Sequence, residues 1–166
     1  MLQPTVRRTW APQGQTPMHA RWDRHDRLAV TGAMTVSPLQ KRFGLYVSLA
    51  SSNLTGDDVF AFVQQLQRHL QRPLLVIWAR CSGHKKAARR LRDLSGARIP
   101  VAFLPAYAPE LNVGEQCWGH TKYGELANCI PHDVDDLAQE IAGSLLAKHR
   151  RPDLLNAFFL HARLGL

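Results

Sequence analysis

Glu115 is the residue whose type and position first suggest chemistry. It stands three positions after Asn112 in the stretch LPAYAPELNVGEQCWGHTKY, residues 104–123, which leaves a short apolar run, turns at Pro105 and Pro109, and enters a helix. An Asn-x-x-Glu pair can satisfy the orphan backbone donors of a helix start, so Glu115 has a purely structural reading as a capping partner. A carboxylate at a helix start beside the end of a strand can also hold a metal ion used in phosphoryl chemistry. A second set of groups is cationic. Arg80, Lys85, Lys86, Arg89, Arg90 and Arg92 crowd residues 80–92. On a helix, Lys85, Arg89 and Arg92 share one face and Lys86 and Arg90 the adjacent row. A solvated surface helix and a phosphate-contacting one share this composition. The third set is Cys81-x-x-His84, Cys117-x-x-His120 and Cys129-x-x-His132, three pairs at a spacing that zinc sites use. Cysteine as a small buried hydrophobe is the plainer account of them. Trp78 and Trp118, on either side of these groups, read first as core.

The elements that must carry these residues follow from pattern. Residues 28–36 and 43–50 are apolar, partly β-branched and separated by SPLQKR, as two antiparallel strands joined by a short loop would be. Residues 57–70 place Val59, Phe60, Phe62, Val63, Leu66 and Leu70 at helical intervals, with Thr55 or Asp57 available as a cap. Residues 73–78 and 99–104 are short continuous apolar runs, which predicts strands buried on both faces. A basic helix is expected over 85–94, and three more over 113–124, 134–148 and 153–164, with Pro131 and Pro152 at the breaks. A hairpin followed by strands alternating with helices gives an α/β fold, a mixed sheet flanked by helices. Residues 1–27, with Trp10 and Trp22 and no sustained periodicity, read as an extended connector.

Composition narrows the class. At 166 residues the chain has the length of one domain with a core. Lysine and arginine number 21 against 13 acids, for a formal charge of +8. That sign favours an anionic partner, nucleic acid first. No apolar run approaches the roughly 18 residues of a membrane span, and the first residues lack a signal-peptide core, so the chain reads as cytoplasmic. Three cysteines do not indicate a disulfide framework.

The run AYAPELNVGEQCW, residues 106–118, resembles the PPYSPDLNPIExxW signature of DDE transposases of bacterial insertion sequences related to mariner elements. RRTWAPQGQTP at 7–17, LAVTGAMTVSP at 28–38, PLLVIWARCSGHKK at 73–86 and TKYGELAN at 121–128 are similar to further landmarks of that family. The resemblance implies a ribonuclease H-like catalytic domain over residues 1–166. It also implies cleavage and transfer of DNA strands at transposon ends, with two divalent ions, Mg²⁺ or Mn²⁺, about 3.5–4 Å apart. By the same match Glu115 is the third catalytic carboxylate and a metal ligand. Arg80, Lys85, Lys86, Arg89 and Arg90 then follow the strand end that faces the active site, where they would contact phosphates. The family's W-x-x-x-K pattern adds His120 and Lys122.

Two departures bear on activity. In the family the first aspartate stands on a central strand just before the segment matching MLQPTVRRTW, so it would precede Met1. The second closes a strand in a pattern like ILIWDRxxxHR, and the matching position in LLVIWARCSGHKK is Ala79. Asp23 and Asp26, in the charged run WDRHDR, are the nearest other acids and read as solvated. One carboxylate should bind Mg²⁺ weakly, because the ion gives up its waters reluctantly. The expectation is therefore a transposase catalytic-domain homologue that associates with DNA and is inactive alone. The alternative is a non-catalytic DNA-binding or regulatory protein that pairs with itself or with full-length transposase. A zinc-stabilised interaction module is the third reading. Absence of the central strand would leave unpaired backbone edges, which predicts self-association or poor solubility.

Overall fold

The structure, a computed structural model, describes residues 7, 8, 10–15, 28–37, 39, 42–51, 53–95 and 99–164. Asp23, Asp26 and Trp22 lie outside the described residues.

Strands β1 (Ala29–Ser37) and β2 (Arg42–Ala50) pair antiparallel from Ala29↔Ala50 to Ser37↔Arg42, which is the hairpin that the SPLQKR break predicts. Helix α1 (Gly56–Leu70) starts on a reciprocal cap: Thr55 Oγ1 accepts from the Asp57 and Asp58 amides, and Asp58 accepts from the Thr55 amide. Gln71 closes the helix in the left-handed region. Strand β3 (Val76–Trp78) leads into helix α2 (Ser82–Ser95), and β4 (Val101–Phe103) lies parallel to β3 in the register Val76↔Val101 to Trp78↔Phe103. A single 3₁₀ turn (Pro109–Leu111) then precedes α3 (Val113–His120). The expected helix over 113–124 changes character halfway, continuing as a π-helical turn (Thr121–Glu125). Helices α4 (Val134–His149) and α5 (Pro152–His161) complete the chain, with Pro152 at the first position of α5, where its missing N–H is harmless.

The strands do not join in one sheet. Among the described residues β1–β2 and β3–β4 are separate two-stranded sheets, and each has its own core. The hairpin contributes Leu45 to a core with Val113 and Cys117 of α3, Leu137, Ile141 and Leu145 of α4, and Leu155, Phe158 and Phe159 of α5. Helices α1 and α2 cover β3–β4 through Phe60, Val63, Ala87, Leu91, Trp78 and Ile99. Burying Ile141, Leu145, Leu91 and Leu155 almost completely stabilises the fold by about 1.5–3 kcal/mol each. A cleft of about 240 Å³ opens between the two cores, lined by Tyr46, Ser48, Phe62, Leu66 and His69.

The expectation that 73–78 and 99–104 are strands buried on both faces is overturned. Only three residues of each form a strand, and Leu75 and Ile77 are 63% and 52% exposed while Trp78 is buried. The helices cover one face of β3–β4, so the continuous apolar run behaves as a half-buried, alternating strand.

Candidate functional site

Position 79 directly follows β3. Its methyl group is half-buried, and its carbonyl accepts a hydrogen bond from His84 Nδ1 at 2.8 Å, which fixes the Nδ1–H tautomer of that ring. The His84 ring also stacks flat on Trp78, with centroids 4.8 Å apart and planes 7° from parallel. Arg80 follows at the surface. Its Nε donates to the Leu104 carbonyl at 3.1 Å, its guanidinium lies 5.9 Å from the Phe103 ring, and Leu104 N donates to Trp78 O at 3.0 Å. The carboxyl ends of the two parallel strands are thereby tied together, with a cation beside them.

Glu115 stands on α3, whose buried residues belong to the other core. Asn112 caps α3, accepting from Gly114 N at 3.1 Å, while Glu115 N donates to the Asn112 backbone carbonyl at 2.9 Å. The reciprocal half of the expected cap is missing among the described residues: the Glu115 carboxylate is exposed and accepts nothing back from Asn112. The cap therefore leaves Glu115 unused. Helix α3 is seated on β1 through Trp118, close enough that a Cβ at Gly32 would stand 2.8 Å from Trp118 Cζ2.

The basic helix divides in two. Lys86 donates to Asp57 at 2.8 Å and Arg90 donates to the same carboxylate, so these two cations clamp α2 to the start of α1; the Arg90 guanidinium also lies 4.6 Å from the Phe60 ring. The hydrogen bonds from Lys86 and then Arg90 hold the Asp57 carboxyl below its ordinary range. Lys85, Arg89 and Arg92 stand exposed, with no ion pair among the described residues.

His120 does not simply face solvent. Its Nδ1 lies 3.5 Å from Glu125 Oε1, and its ring meets Phe158 edge-on at 5.6 Å. Glu125 also accepts from Ser144 and from Lys148, whose side chain is 1% exposed and which donates to Ser144 Oγ at 2.9 Å. Desolvation pushes the Glu125 carboxyl up, but the Lys148 and Ser144 hydrogen bonds and the Lys148 and His120 charges outweigh it, and the net shift is downward. Lys122 Nζ lies 5.4 Å from the centroid of the Tyr123 ring, and Arg7 Cζ lies 5.5 Å from the same centroid. Sequence reasoning missed both Asp57 as a partner and the Glu125–Ser144–Lys148 cluster. The one available signal is that Lys148 continues the buried stripe Leu137, Ile141, Leu145 along α4.

The three Cys/His pairs go to three places. Cys81 is exposed ahead of α2, Cys129 is half-buried, and Cys117 is in the core, where desolvation pushes its thiol up to about 11. A thiol so disfavoured as thiolate is a poor zinc ligand. Among the described residues no three His, Cys, Asp or Glu side chains converge as a metal-binding group. The donor set does not fit a two-ion centre either: Ala79 offers no side-chain oxygen, its carbonyl is taken by His84, and Glu115 is an exposed carboxylate.

Arg80 is thus tethered at the carboxyl ends of two parallel strands, just ahead of the basic helix α2. The chain belongs to the DDE superfamily endonuclease family, whose model matches residues 1–138. It is similar in structure to a chain in the crystal structure of the Mos1 strand transfer complex, with a TM-score of 0.60 at 15% sequence identity. That match covers 97% of this chain and 51% of the other, so the chain spans about half the length of its solved relative. The fold is accordingly ribonuclease H-like, and the transposase resemblance of residues 106–118 is borne out. No curated protein matches the sequence. Among the described residues no helix is long and apolar enough to cross a membrane.

Proposed function

We propose that this chain is a transposase-derived DNA-binding protein, acting in the cytoplasm, that does not cut DNA by itself. The observation that carries the reading is Ala79: a methyl group directly follows β3 where the family's second carboxylate would stand, and His84 is already bonded to the carbonyl of that residue. Glu115 alone would hold Mg²⁺ or Mn²⁺ weakly, through one carboxylate and the ion's own waters. Affinity for DNA would come from Arg80 and from Lys85 and Arg89 on the exposed face of α2, with Lys86, Arg90, His120 and Lys122 contributing less because they already have partners. Such contacts read the phosphate backbone and weaken steeply with salt.

The test uses supercoiled DNA carrying transposon ends, incubated with the purified chain and Mg²⁺ or Mn²⁺. The plasmid should stay intact while anisotropy detects duplex binding at low salt. Nicking by the wild-type chain that disappears in Glu115→Ala would overturn the reading.

The exposed edge of β3 favours a second, compatible role in pairing with another transposase-fold chain or with a second copy. Val76 N donates to Pro100 O and Leu104 N donates to Trp78 O, so β4 takes up the backbone of Val76 and Trp78. Alternation along the strand turns the Ile77 N–H and C=O to the opposite edge, next to the exposed Ile77 and Leu75 side chains. Light scattering should show association that Ile77→Asp removes, since an exposed position tolerates a charge with little cost to folding. A monodisperse wild-type monomer with a sharp cooperative melt would rule this role out.

A further inference from the structure

Tyr107 occupies a conformation and a place that packing does not explain. Its φ is 59°, in the left-handed region that a bulky side chain rarely enters. Its ring is 102% exposed, so burial returns nothing for that backbone. Tyr123 differs: it is partly covered, with Arg7 and Lys122 both within 5.5 Å of its ring centroid. Backbone outliers of this kind cluster where a side chain must be presented to a ligand.

The mount that holds Tyr107 is stiff. On one side Leu104 is bonded through its N–H to Trp78 O at 3.0 Å and through its carbonyl to Arg80 Nε at 3.1 Å. On the other, Leu111 N donates to Ala108 O at 3.2 Å and Asn112 N to Pro109 O at 3.0 Å. Pro105 and Pro109 restrict the backbone between these anchors. The loop joins the carboxyl end of β4 to the helix that carries Glu115, and Tyr107 follows by three residues the carbonyl that Arg80 Nε binds. In parallel α/β sheets ligands gather at this end of the strands.

We infer that Tyr107 is a stacking platform for an unpaired DNA base, with Arg80 holding a neighbouring phosphate. The inference rests on the DNA-binding reading above and adds to it a preference for DNA with unstacked bases. An exposed phenol ring on a rigid loop gives a base a flat apolar face at small entropic cost, and any of the four bases can use it. Duplex DNA presents phosphates to α2 but no free base face, so the ring would discriminate between the two forms where the cations do not.

The test measures anisotropy of the full chain at low salt with a blunt duplex, the same duplex carrying a single-stranded overhang, and a single strand. Wild type should prefer the two forms with unpaired bases. Tyr107→Gly should weaken these by about five- to 150-fold, the range base–aromatic stacking supplies, and leave the blunt duplex unchanged. Tyr107→Phe should keep the preference, and 2-aminopurine in the overhang should be quenched by wild type and by the Phe variant only. Because glycine suits a positive φ, the Gly variant should melt at or above the wild-type temperature, a result no structural role for the ring predicts. The inference is overturned if the Gly variant loses affinity equally for all three DNAs, loses none, melts lower, or changes oligomeric state, the last marking the ring as a protein contact. Wild type that binds none of the DNAs would end the DNA-binding reading as well; blunt-duplex binding with no dependence on Tyr107 would end only this one.

Discussion

The seat of α3 on β1 positions Glu115, and Gly32→Ala tests it. Gly32 lacks a positive φ, so its backbone does not require glycine, and in an open strand alanine would stabilise by about 0.5–1 kcal/mol. The new Cβ would instead meet Trp118 Cζ2 at 2.8 Å and Cη2 at 3.0 Å, with Val47 Cγ1 at 3.6 Å on the other side. These are atoms of a rigid ring held between a helix and a strand, so relief requires α3 to move, and overpacking of this kind costs about 1–3 kcal/mol. The net expectation is a loss of about 1–2 kcal/mol, or a fall of about 2–8 °C in Tm for a chain of this size. Trp118→Phe removes the far edge of the indole. In that background Gly32→Ala should become neutral or stabilising, so a double-mutant cycle read by urea unfolding should give a coupling of about 1 kcal/mol or more. A cycle that closes to within about 0.5 kcal/mol, with alanine stabilising in both backgrounds, would mean that Trp118 does not lie on Gly32.

Lys148 and Glu125 should respond unequally to truncation. Glu125→Ala strands a fully buried ammonium and should cost toward the lower end of about 3–5 kcal/mol, because Glu125 itself is 36% exposed, whereas Lys148→Met lets that carboxylate resolvate and should cost less; urea unfolding of both variants decides. With its carboxyl held below its ordinary value of 4.5, Glu125 contributes stability above that pH that is lost as pH falls through the folded value, and Lys148→Met should flatten the melting curve's pH dependence there. On α2, neutralising Lys85, Arg89 and Arg92 to Gln should reduce the slope of log affinity against log salt by about two to three, and neutralising Lys86 and Arg90 by less, since Asp57 already holds them. Ala79→Asp should weaken duplex binding in EDTA and make it recover with Mn²⁺ if residue 79 and Glu115 face one centre; identical binding with and without Mn²⁺ would place them apart.

What the sequence disclosed was local. The hairpin is legible because SPLQKR interrupts two β-branched runs, and α1 is legible because Thr55 precedes an apolar stripe of helical period. The Asn112 cap is legible for the same reason, although of the two readings of Glu115 the one in which it completes the cap fails: Asn112 supplies a side-chain acceptor and Glu115 returns none. The burial of β3 was not legible. A run such as LLVIW states which residues favour burial, not whether a second layer exists to bury them, and here α1 and α2 cover one face only. The ion pairs were hidden for a different reason. Asp57 meets Lys86 and Arg90 across two helices, and Glu125 meets Lys148 across 23 positions, separations at which charge patterning carries no register.

On the proposed reading, an alanine at position 79 does more than withhold a metal ligand. In a two-ion centre the carboxylates repel the phosphate, and the ions are what make its approach favourable. With a methyl group just past β3, the charged groups that follow are Arg80 and the exposed cations of α2. On that reading the local charge is positive without any metal. On the proposed reading, the same substitution that ends cleavage therefore frees DNA binding from divalent ions, and the duplex affinity of the wild-type chain should be indifferent to EDTA at constant ionic strength. A chain that binds DNA ends without consuming them has the properties of a competitor for those ends. That is a role the remaining cations can serve and the missing carboxylate would obstruct.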